Sequence, residues 1–464
     1  MDNENISLRK TTMKSQSPIL FYLLAMILFI STSHHLNAQL SLSGQLRARG
    51  EYRSGQGSPI PENADPAIFI SQRTRLNLEF NTYRLKFGLA LQDVRVWGQD
   101  LSTINRTTTQ NNNGLMLHEA WAQISLTDTT NKKENLAVKF GRQELILDDQ
   151  RLVGNLDWLQ QARHHDAVII KYIRNKWNAQ AGAAYNQNKE NSSGTIYSAV
   201  SPGNYATNTN GGNMYKSFEF LHVSRKLVGG SVSALFFSDQ FNKYALDSAG
   251  AKIWTKGSWS RFTTGFYFTN VFNRFSLTGA AYYQGGRTPD NQKLAATLLS
   301  ANMIYIFNNK FSAGPGMDYT SGGKSGSESH AFDPLYGTPH KFWGQMDYFY
   351  AANTFGNKGL QDYYLKTTYS FSQKLKLNAD LHEFYSASAV YDQNQHKLER
   401  NFGTELDLVL NYAITGIVQL ELGYSYYRST NSLTTAEVKN VANARTGNNW
   451  AYLMINIKPG MIIK

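Results

Sequence analysis

Cationic side chains occupy alternate positions in several segments of the chain. Arg47, Arg49 and Arg53 follow this spacing in one segment, and Arg73 and Arg75 repeat it in the next. A guanidinium or ammonium group pairs readily with a carboxylate or phosphate group, so these residues could bind an anionic solute. The chain has 46 Lys and Arg against 34 Asp and Glu, and this net charge of +12 agrees with an anionic partner without defining a fold.

Other kinds of chemistry find little support in the sequence. The chain has no cysteine, which excludes disulfide scaffolds, iron–sulfur clusters and cysteine catalysis. His118–Glu119 and His164–His165 are adjacent pairs, and adjacent residues of a strand point to opposite faces, so we predict no metal site and no cofactor. No G-x-S-x-G motif and no phosphate-binding loop occur, and no catalytic residue is predicted.

Apolar and polar residues alternate over long stretches of the chain. Positions 72–80, 374–382, 401–412 and 417–426 are mostly apolar at one parity and mostly polar at the other. A period of two places each set on one face of a β-strand. Beyond the N-terminal region no stretch reaches the roughly 18 consecutive apolar residues of a membrane-spanning helix.

The length and number of these segments predict an all-β, transmembrane antiparallel β-barrel with short periplasmic turns and long extracellular loops. The segments run for about 10–13 residues, enough to cross a bilayer at a tilt, whereas strands of a soluble sandwich are commonly about 5–6 residues. We interpret 341–351 as a loop because of Pro339 and its polar flanks. About eighteen strands are predicted, starting near 41, 68, 83, 115, 135, 163, 176, 213, 229, 257, 273, 292, 310, 359, 373, 400, 416 and 448.

The connections between the segments fall into two classes. Some are short and polar, as at Asn81-Thr82 and Asn308-Asn309, and this contrast with long loops is typical of outer-membrane barrels. The chain ends without a terminal aromatic residue, so 448–458 is predicted as the closing strand and the tail beyond it as an extension. The long connections, rich in Asn, Gly, Ser and Thr, are expected at 54–66, 99–113, 188–212, 240–256, 320–340 and 429–448.

The N-terminal region has the layout of a secretory signal peptide. Basic residues precede the uncharged run Ile19–Ile30, and Ala38 offers a small residue at a cleavage position. A helix of twelve residues rises about 18 Å, which is too short to span a hydrocarbon core of about 30 Å. We therefore predict a signal peptide over 1–38 and a single barrel domain over 39–464, located in the cell outer membrane.

Alternation also predicts which charges line the lumen. A cation on the lipid face near the midplane costs about 2–4 kcal/mol, so cations in the middle of a strand should point inward. Lumenal arginines could equally form a structural network with acids such as Glu51, Glu79, Glu119, Glu144 and Asp166. The predicted lumenal cations are Arg47, Arg49, Arg53, Arg73, Arg75, Arg84, Lys86, Arg261, Lys366, Lys374 and Lys376, while Arg95, Lys139, Arg142, Arg151 and Arg163 cluster in the N-terminal half with unclear parity.

Three motifs resemble the alginate-export family of outer-membrane barrels. They are GRQEL…DDQRLVGNLDW…RHHDAV in 141–168, LQDVRVWGQD in 91–100 and FDPLYGTPHKFWGQMDYFY in 332–350. The resemblance runs along nearly all of 39–464 and implies an eighteen-stranded barrel with a lumen rich in Arg and Lys, through which a polyanionic polysaccharide passes. By motif match it also implies that 332–350 is a loop near the pore. The implied constriction or loop-fixing residues are Gln92, Asp93, Arg95, Arg142, Glu144, Arg151, Asp157 and Asp166.

The sequence thus predicts a passive channel for anionic, uronate-type saccharides or similar polyanions. The expected partners are this solute and outer-membrane lipid, not nucleic acid, and the barrel is expected to be a monomer. Gln92, Asp93, Glu119, Glu144, Asp157 and Asp166 are the acids and polar residues expected to fix loops or form the constriction. A general or small-anion porin with the same lumen is the main alternative, and a surface anchor, an adhesin and a membrane-embedded hydrolase are further classes.

Overall fold

A computed structural model describes most of the barrel region. The predicted signal peptide lies outside the described residues except for Ala38, and so do most of the predicted loops at 99–113 and 188–212. No helix within the described residues is long and apolar enough to span a bilayer. The described residues are 38–98, 115–131, 133–187, 190, 192–197, 215–351, 355 and 357–463.

The strands form a closed antiparallel barrel of 18 strands, which confirms the predicted fold class. Each barrel strand pairs with the next one along the chain, and the ring closes where Leu46–Ser54 of the first strand pairs with Asn449–Ile457 of the last. Closure leaves no free sheet edge in the lipid, where unpaired backbone groups would be costly.

The barrel strands, in chain order, are as follows. They are β1 (Gln39–Ser54), β2 (Ala67–Thr82), β3 (Leu85–Val96), β4 (Met116–Ser125), β5 (Glu134–Gln143), β6 (His165–Arg174), β7 (Trp177–Tyr185), β8 (Ser217–Lys226), β9 (Gly230–Leu246), β10 (Lys252–Phe272), β11 (Phe275–Arg287), β12 (Lys293–Ile306), β13 (Phe311–Thr320), β16 (Leu360–Ser370), β17 (Leu375–Ser386), β18 (Asn401–Ala413), β19 (Val418–Ser429) and β20 (Gly447–Ile457). Three short strands, β14 (Lys324–Ser325), β15 (Glu328–Ser329) and β21 (Gly460–Ile463), complete the sheet.

Burial in β1 follows the predicted alternation. Leu46 and Tyr52 are 39% and 40% exposed on the outer face, whereas Arg47 and Arg49, which lie between them in the strand, are buried. The outer face therefore offers apolar side chains to lipid, and the inner face carries the charges.

The turns at one end of the barrel are tight. Arg84, Asn175 and Asn273 lie in three of them and adopt positive φ angles, a conformation that asparagine tolerates well. The prediction of a long loop at 240–256 is wrong for most of these residues. There β9 and β10 continue as a paired hairpin in which Tyr244 packs edge-on against Trp254 and Trp259, so aromatic cross-strand contacts extend the strands.

The tail after β20 is also more ordered than an extension. Pro459 interrupts the strand because it has no N–H to donate, but its carbonyl accepts the Gly44 N–H at 2.9 Å. Beyond it, β21 pairs with Leu40–Ser43 of β1 and so continues the closing strand.

Two long loops from the extracellular side fold into the lumen. The β5–β6 loop (144–164) and the β13–β16 loop (321–359) meet at a parallel bridge between Val153 and Tyr336. Leu152, Leu335 and Phe349 are buried in the same apolar cluster. The hydrophobic core of this protein therefore lies inside the barrel, between the two loops and the wall.

Candidate solute path

The arginines of β1 and β2 face inward as predicted from parity, but they are deeply buried. Arg47, Arg49 and Arg73 are only 3%, 2% and 1% exposed. A guanidinium with so little accessible surface has its hydrogen-bonding groups engaged by protein.

Backbone carbonyl groups of the β5–β6 loop are the main partners of Arg47. Its guanidinium donates to the carbonyl oxygens of Asp157 at 2.7 Å and Leu159 at 3.0 Å, and to Oε1 of Gln160 at 2.9 Å. Arg49 donates in the same way to the carbonyl of Trp158 at 3.0 Å. A loop turned into the lumen has carbonyls that no strand can pair, and these two arginines satisfy them.

The carboxylate of Asp157 adds an ionic contact to this anchor. Arg73 donates to it at 2.7 Å, and Arg47 lies at 3.4 Å from its second oxygen. Burial raises the pKa of Asp157, but the two guanidinium groups outweigh it and hold this pKa below the usual value of 3.8. Asp157 therefore stays ionised and fixes the loop to β1 and β2.

A second polar cluster forms around Glu144, at the start of the same loop. The Glu144 carboxylate lies 2.8 Å from Nε2 of His118 and accepts a hydrogen bond from Asn155 at 2.7 Å, while Arg75 lies at 3.4 Å. Burial opposes ionisation of Glu144, yet the hydrogen bonds from His118 and Asn155 keep its pKa below 4.5. Glu119 accepts the Glu144 N–H at 3.0 Å.

A β-bulge explains why His118 and Glu119 both reach this cluster. Glu119 pairs with Ala90, but the next pair of the ladder is Leu117 with Leu91, which leaves His118 as the extra residue. The assumption that these adjacent residues point to opposite faces is therefore wrong at this place. His164 also approaches, with its Nδ1 atom 3.4 Å from that of His118.

Trp158 connects the two inward loops. Its indole ring lies between the Arg49 guanidinium, 4.2 Å from the ring centroid, and the His340 imidazole, which stacks at 4.1 Å. His340 belongs to the β13–β16 loop, and its Nδ1 atom lies 2.8 Å from Asp347 in that loop. One residue thus links β1 to both loops.

Acidic side chains of β18 anchor the β13–β16 loop. Asp407 accepts the Gln345 N–H at 3.2 Å, and Glu405 accepts the Met346 N–H at 2.7 Å. Cations of β1 therefore hold carbonyls of one loop, and carboxyl oxygens of β18 hold N–H groups of the other. This division follows from the polarity of the peptide group.

Buried ion pairs complete this framework. Arg151 lies 2.6 Å from Asp318 of β13, and its guanidinium stacks on Phe342 at 4.0 Å. Arg163 donates to the Gly337 carbonyl at 2.6 Å and so joins the loops again. Both arginines serve packing within the lumen and are almost inaccessible to solute.

Two predicted site residues of β3 lie outside the lumen. Asp93 and Arg95 share the parity of Phe87, which is 39% exposed on the outer face, and they pair with each other at 2.7 Å. Gln92, one step along the strand, points inward and accepts hydrogen bonds from Arg75.

The same correction applies to the ends of β5 and β6. Arg142 and Asp166 form a bidentate ion pair at 2.9 Å on the side of Phe140 and Val168, which are exposed to lipid. The motif match therefore selected an outer pair near the extracellular rim, where both charges remain close to water.

Several other predicted lumenal cations are more accessible. Arg53 is partly exposed and pairs with Glu51 at 2.9 Å. Lys366 lies 3.5 Å from Asp380, Lys376 is exposed at the inner parity of β17, and Lys374 is exposed in the turn before that strand.

A lysine group lies on β3, β5 and β6, of which the sequence predicted Lys86 as lumenal and Lys139 as part of the N-terminal cationic cluster but did not identify Lys171. Lys86, Lys139 and Lys171 share the inward parity of their strands and take part in no ion pair within the described residues. Lys86 and Lys139 are both cross-strand neighbours of Gln123 of β4, and Lys171 is the cross-strand neighbour of Ala137, two residues before Lys139 in β5. Outward-facing Phe87, Phe140 and Ile170 were the available sign of this parity.

Comparison with known proteins identifies relatives at the level of family and fold. A family model described as alginate export matches residues 38–447. No significant match was found among curated proteins.

Solved outer-membrane porins share this fold at low sequence identity. A BenF-like porin from Pseudomonas fluorescens Pf-5 superposes with a TM-score of 0.56 at 12% identity, covering 92% of this chain and 99% of the porin. OccK11 (OpdR) of Pseudomonas aeruginosa gives 0.55 at 11% identity, covering 92% and 96%. OpdK of the same organism, solved with vanillate, gives 0.55 at 8% identity, covering 92% and 99%.

Proposed function

This chain belongs to the alginate-export family, and from that premise we propose an anion-favouring channel that passes acidic, uronate-type saccharides. Family membership and the porin fold make the protein an outer-membrane channel. The charge preference and the class of solute are the new part of this proposal.

The observation that carries the proposal is the lysine group of β3, β5 and β6, which forms no ion pair among the described residues; the Lys139 ammonium lies 3.9 Å from the centroid of the Trp121 ring. Carboxylates offset part of the charge of the buried arginines, and loop carbonyls occupy their N–H groups, so these arginines make no direct contact with a passing solute. Lys86 is exposed to the lumen, and Lys139 and Lys171 are partly exposed. Unpaired cations on a wall of low dielectric constant raise the local concentration of anions.

The lysines also suit rapid passage. An ammonium group on a flexible stem forms single, interchangeable contacts, whereas a guanidinium held at a bidentate site binds tightly. Conduction requires binding that is strong enough to admit the solute and weak enough, over several sites, to release it. Successive carboxylates of a uronate chain would exchange between these lysines as the chain moves down its gradient.

Reversal potentials in a KCl gradient test the charge preference. We expect the wild-type barrel in planar bilayers to favour chloride and Lys86→Glu with Lys171→Glu to shift the preference towards potassium. Lys397→Glu, at an exposed extracellular position, makes one such charge reversal away from the wall and should leave the potential unchanged. An unshifted potential in the double variant would contradict the role of these lysines.

The solute class is tested by current block with alginate oligosaccharides and with neutral maltodextrins. We expect block by the uronate chain at concentrations where the neutral chain has little effect. A pore that favours chloride but responds to neither saccharide would instead be a small-anion porin.

A further inference from the structure

A cavity of about 470 Å³ lies in the lumen beneath the β13–β16 loop. Its roof is formed by Trp158 of the β5–β6 loop and by His340, Lys341, Phe342, Gly344 and Gln345 of the β13–β16 loop, and β16–β20 form its side wall. It is therefore a widening of the same lumen, separate from the lysine group of β3, β5 and β6.

Two carboxylates in this cavity have unused hydrogen-bonding capacity. One oxygen of Asp380 lies 3.5 Å from the Lys366 ammonium, and one oxygen of Glu421 accepts the Tyr452 hydroxyl at 2.8 Å. Within the described part of the chain, the second oxygen of each has no hydrogen-bond donor. Both oxygens can therefore accept hydrogen bonds from a ligand.

Asp407 also borders the cavity, but its oxygens are already used. It accepts hydrogen bonds from the Ser425 hydroxyl and from the Gln345 N–H, and it is only 1% exposed. Asp407 is therefore a positioning residue for the loop and not a ligand contact.

The remaining polar groups of the cavity complement the two acids. Asn378 keeps its amide N–H₂ group free after its oxygen accepts from Thr368. Asn411 and Gln345 add side-chain amides with no hydrogen-bond partner in the described residues, and Lys341 is exposed at the roof. The lining thus combines cations, acceptors and amides, which can each donate and accept.

These groups fit a sugar better than a simple anion. A small anion would be repelled by Asp380 and Glu421, whereas the hydroxyl groups of a pyranose donate hydrogen bonds to carboxylates. Lys366 and Lys341 could pair with a carboxylate on the same ring. We infer that this cavity is a subsite for one ring of an acidic saccharide, with its hydroxyls on Asp380 and Glu421. The inference rests on the proposed function and specifies where it discriminates among anions.

Removing a carboxylate from the cavity should change the dwell time of an anionic saccharide in opposite directions through charge and through hydrogen bonding, and the test uses this difference. Asp380→Leu and Glu421→Leu each replace a carboxylate, which carries a negative charge and accepts hydrogen bonds, by an apolar side chain of similar size. Electrostatics alone predicts that an anionic saccharide then stays longer, whereas loss of hydroxyl recognition predicts a dwell time shortened by about tenfold. The measurement is the dwell time of single alginate-oligosaccharide blocks in planar bilayers.

Matched controls separate the outcomes. Glu399→Leu makes the same change at an exposed extracellular position, away from the cavity and from the lysine group, and should leave the dwell time unchanged. Heat-modifiable migration on gels establishes that each variant is folded. Unchanged or longer dwell in both cavity variants overturns the subsite. A wild-type barrel without preference for chloride overturns the proposed function instead, whatever the dwell times are.

Discussion

Replacing Arg47 by methionine should release the β5–β6 loop without changing the charge preference of the pore. Methionine retains an unbranched apolar stem but removes the guanidinium, which leaves the carbonyl of Asp157 and Oε1 of Gln160 without their donor. Each buried polar group left unsatisfied costs about 1–3 kcal/mol, so the docked loop should lose about 2–6 kcal/mol.

This loss is large relative to the stability of a single loop. Even 2 kcal/mol raises the ratio of released to docked loop by about thirtyfold. The loop lies in the lumen, so we expect larger and noisier single-channel currents and faster proteolysis within 144–164. The reversal potential in KCl should change much less than in the Lys86→Glu, Lys171→Glu variant.

Arg53→Met is the matched control. Arg53 lies on the same face of β1, but its recorded partners are Glu51 and the ring of Phe69, not the loop. It should leave conductance and proteolysis near their wild-type values. If Arg47→Met also leaves both unchanged, the arginines of β1 do not anchor the loop. If it shifts the reversal potential strongly, Arg47 belongs to the solute path after all.

Two predictions concern pH. Arg73 and Arg47 hold the pKa of Asp157 below 3.8, so its carboxylate anchors the loop fully above about pH 4, and this contribution is lost as the pH falls through the lowered pKa. The conductance of the wild-type barrel should therefore rise at low pH, and Asp157→Asn should show no such rise. Burial lowers the pKa of Lys439, an extracellular-loop residue that donates to the Gly57 carbonyl, to about 7. The folded state then binds fewer protons than the unfolded state between about pH 7 and 10.5, so the loop becomes more stable as the pH rises through this range. Protection of loop 54–66 from hydrogen exchange, relative to the intrinsic exchange rate at each pH, should therefore increase, and Lys439→Met should abolish this increase.

The barrel itself could be predicted from the sequence because its physics is local. A lipid face and a polar face on every strand impose a period of two, and the length of each segment follows from the thickness of the membrane. The hairpin of β9 and β10 escaped prediction because its extension lies beyond the lipid, where aromatic contacts such as Tyr244 with Trp254 replace the alternation as the cause of pairing.

The inward direction of Arg47 and Arg73 was predictable for the same reason, but their partners were not. Asp157 is 110 residues away from Arg47 along the chain, and nothing local shows that its loop turns into the lumen. Arg142 presents the opposite case. Its parity with Phe140 was readable, but the motif match suggested a role in the pore.

The inward direction of Lys171 was also hard to predict from the sequence because of the loops. Its strand carries Ile169 on the inner face, where this side chain is 2% exposed because it packs in the apolar cluster formed with the inward loops. Both faces of β6 are therefore apolar near the extracellular end, and alternation disappears from the sequence there. A strand that supports a buried loop resembles a strand buried on both sides.

The loops also determine which charges a solute can meet. Arg47, Arg49 and Arg73 bind the backbone carbonyls and the Asp157 carboxylate of the β5–β6 loop, which folds into the lumen. A count of lumenal cations thus overestimates the positive field along the path, since each loop brings its own compensating groups. The proposed charge preference depends on the residues that remain accessible. In the described part of this barrel these include the lysines of β3, β5 and β6 on one wall, and Lys376 with the lysines, carboxylates and amides of the cavity on the other. In the proposed function, such a lumen favours anions through one wall and distinguishes hydroxyl-rich anions through the other.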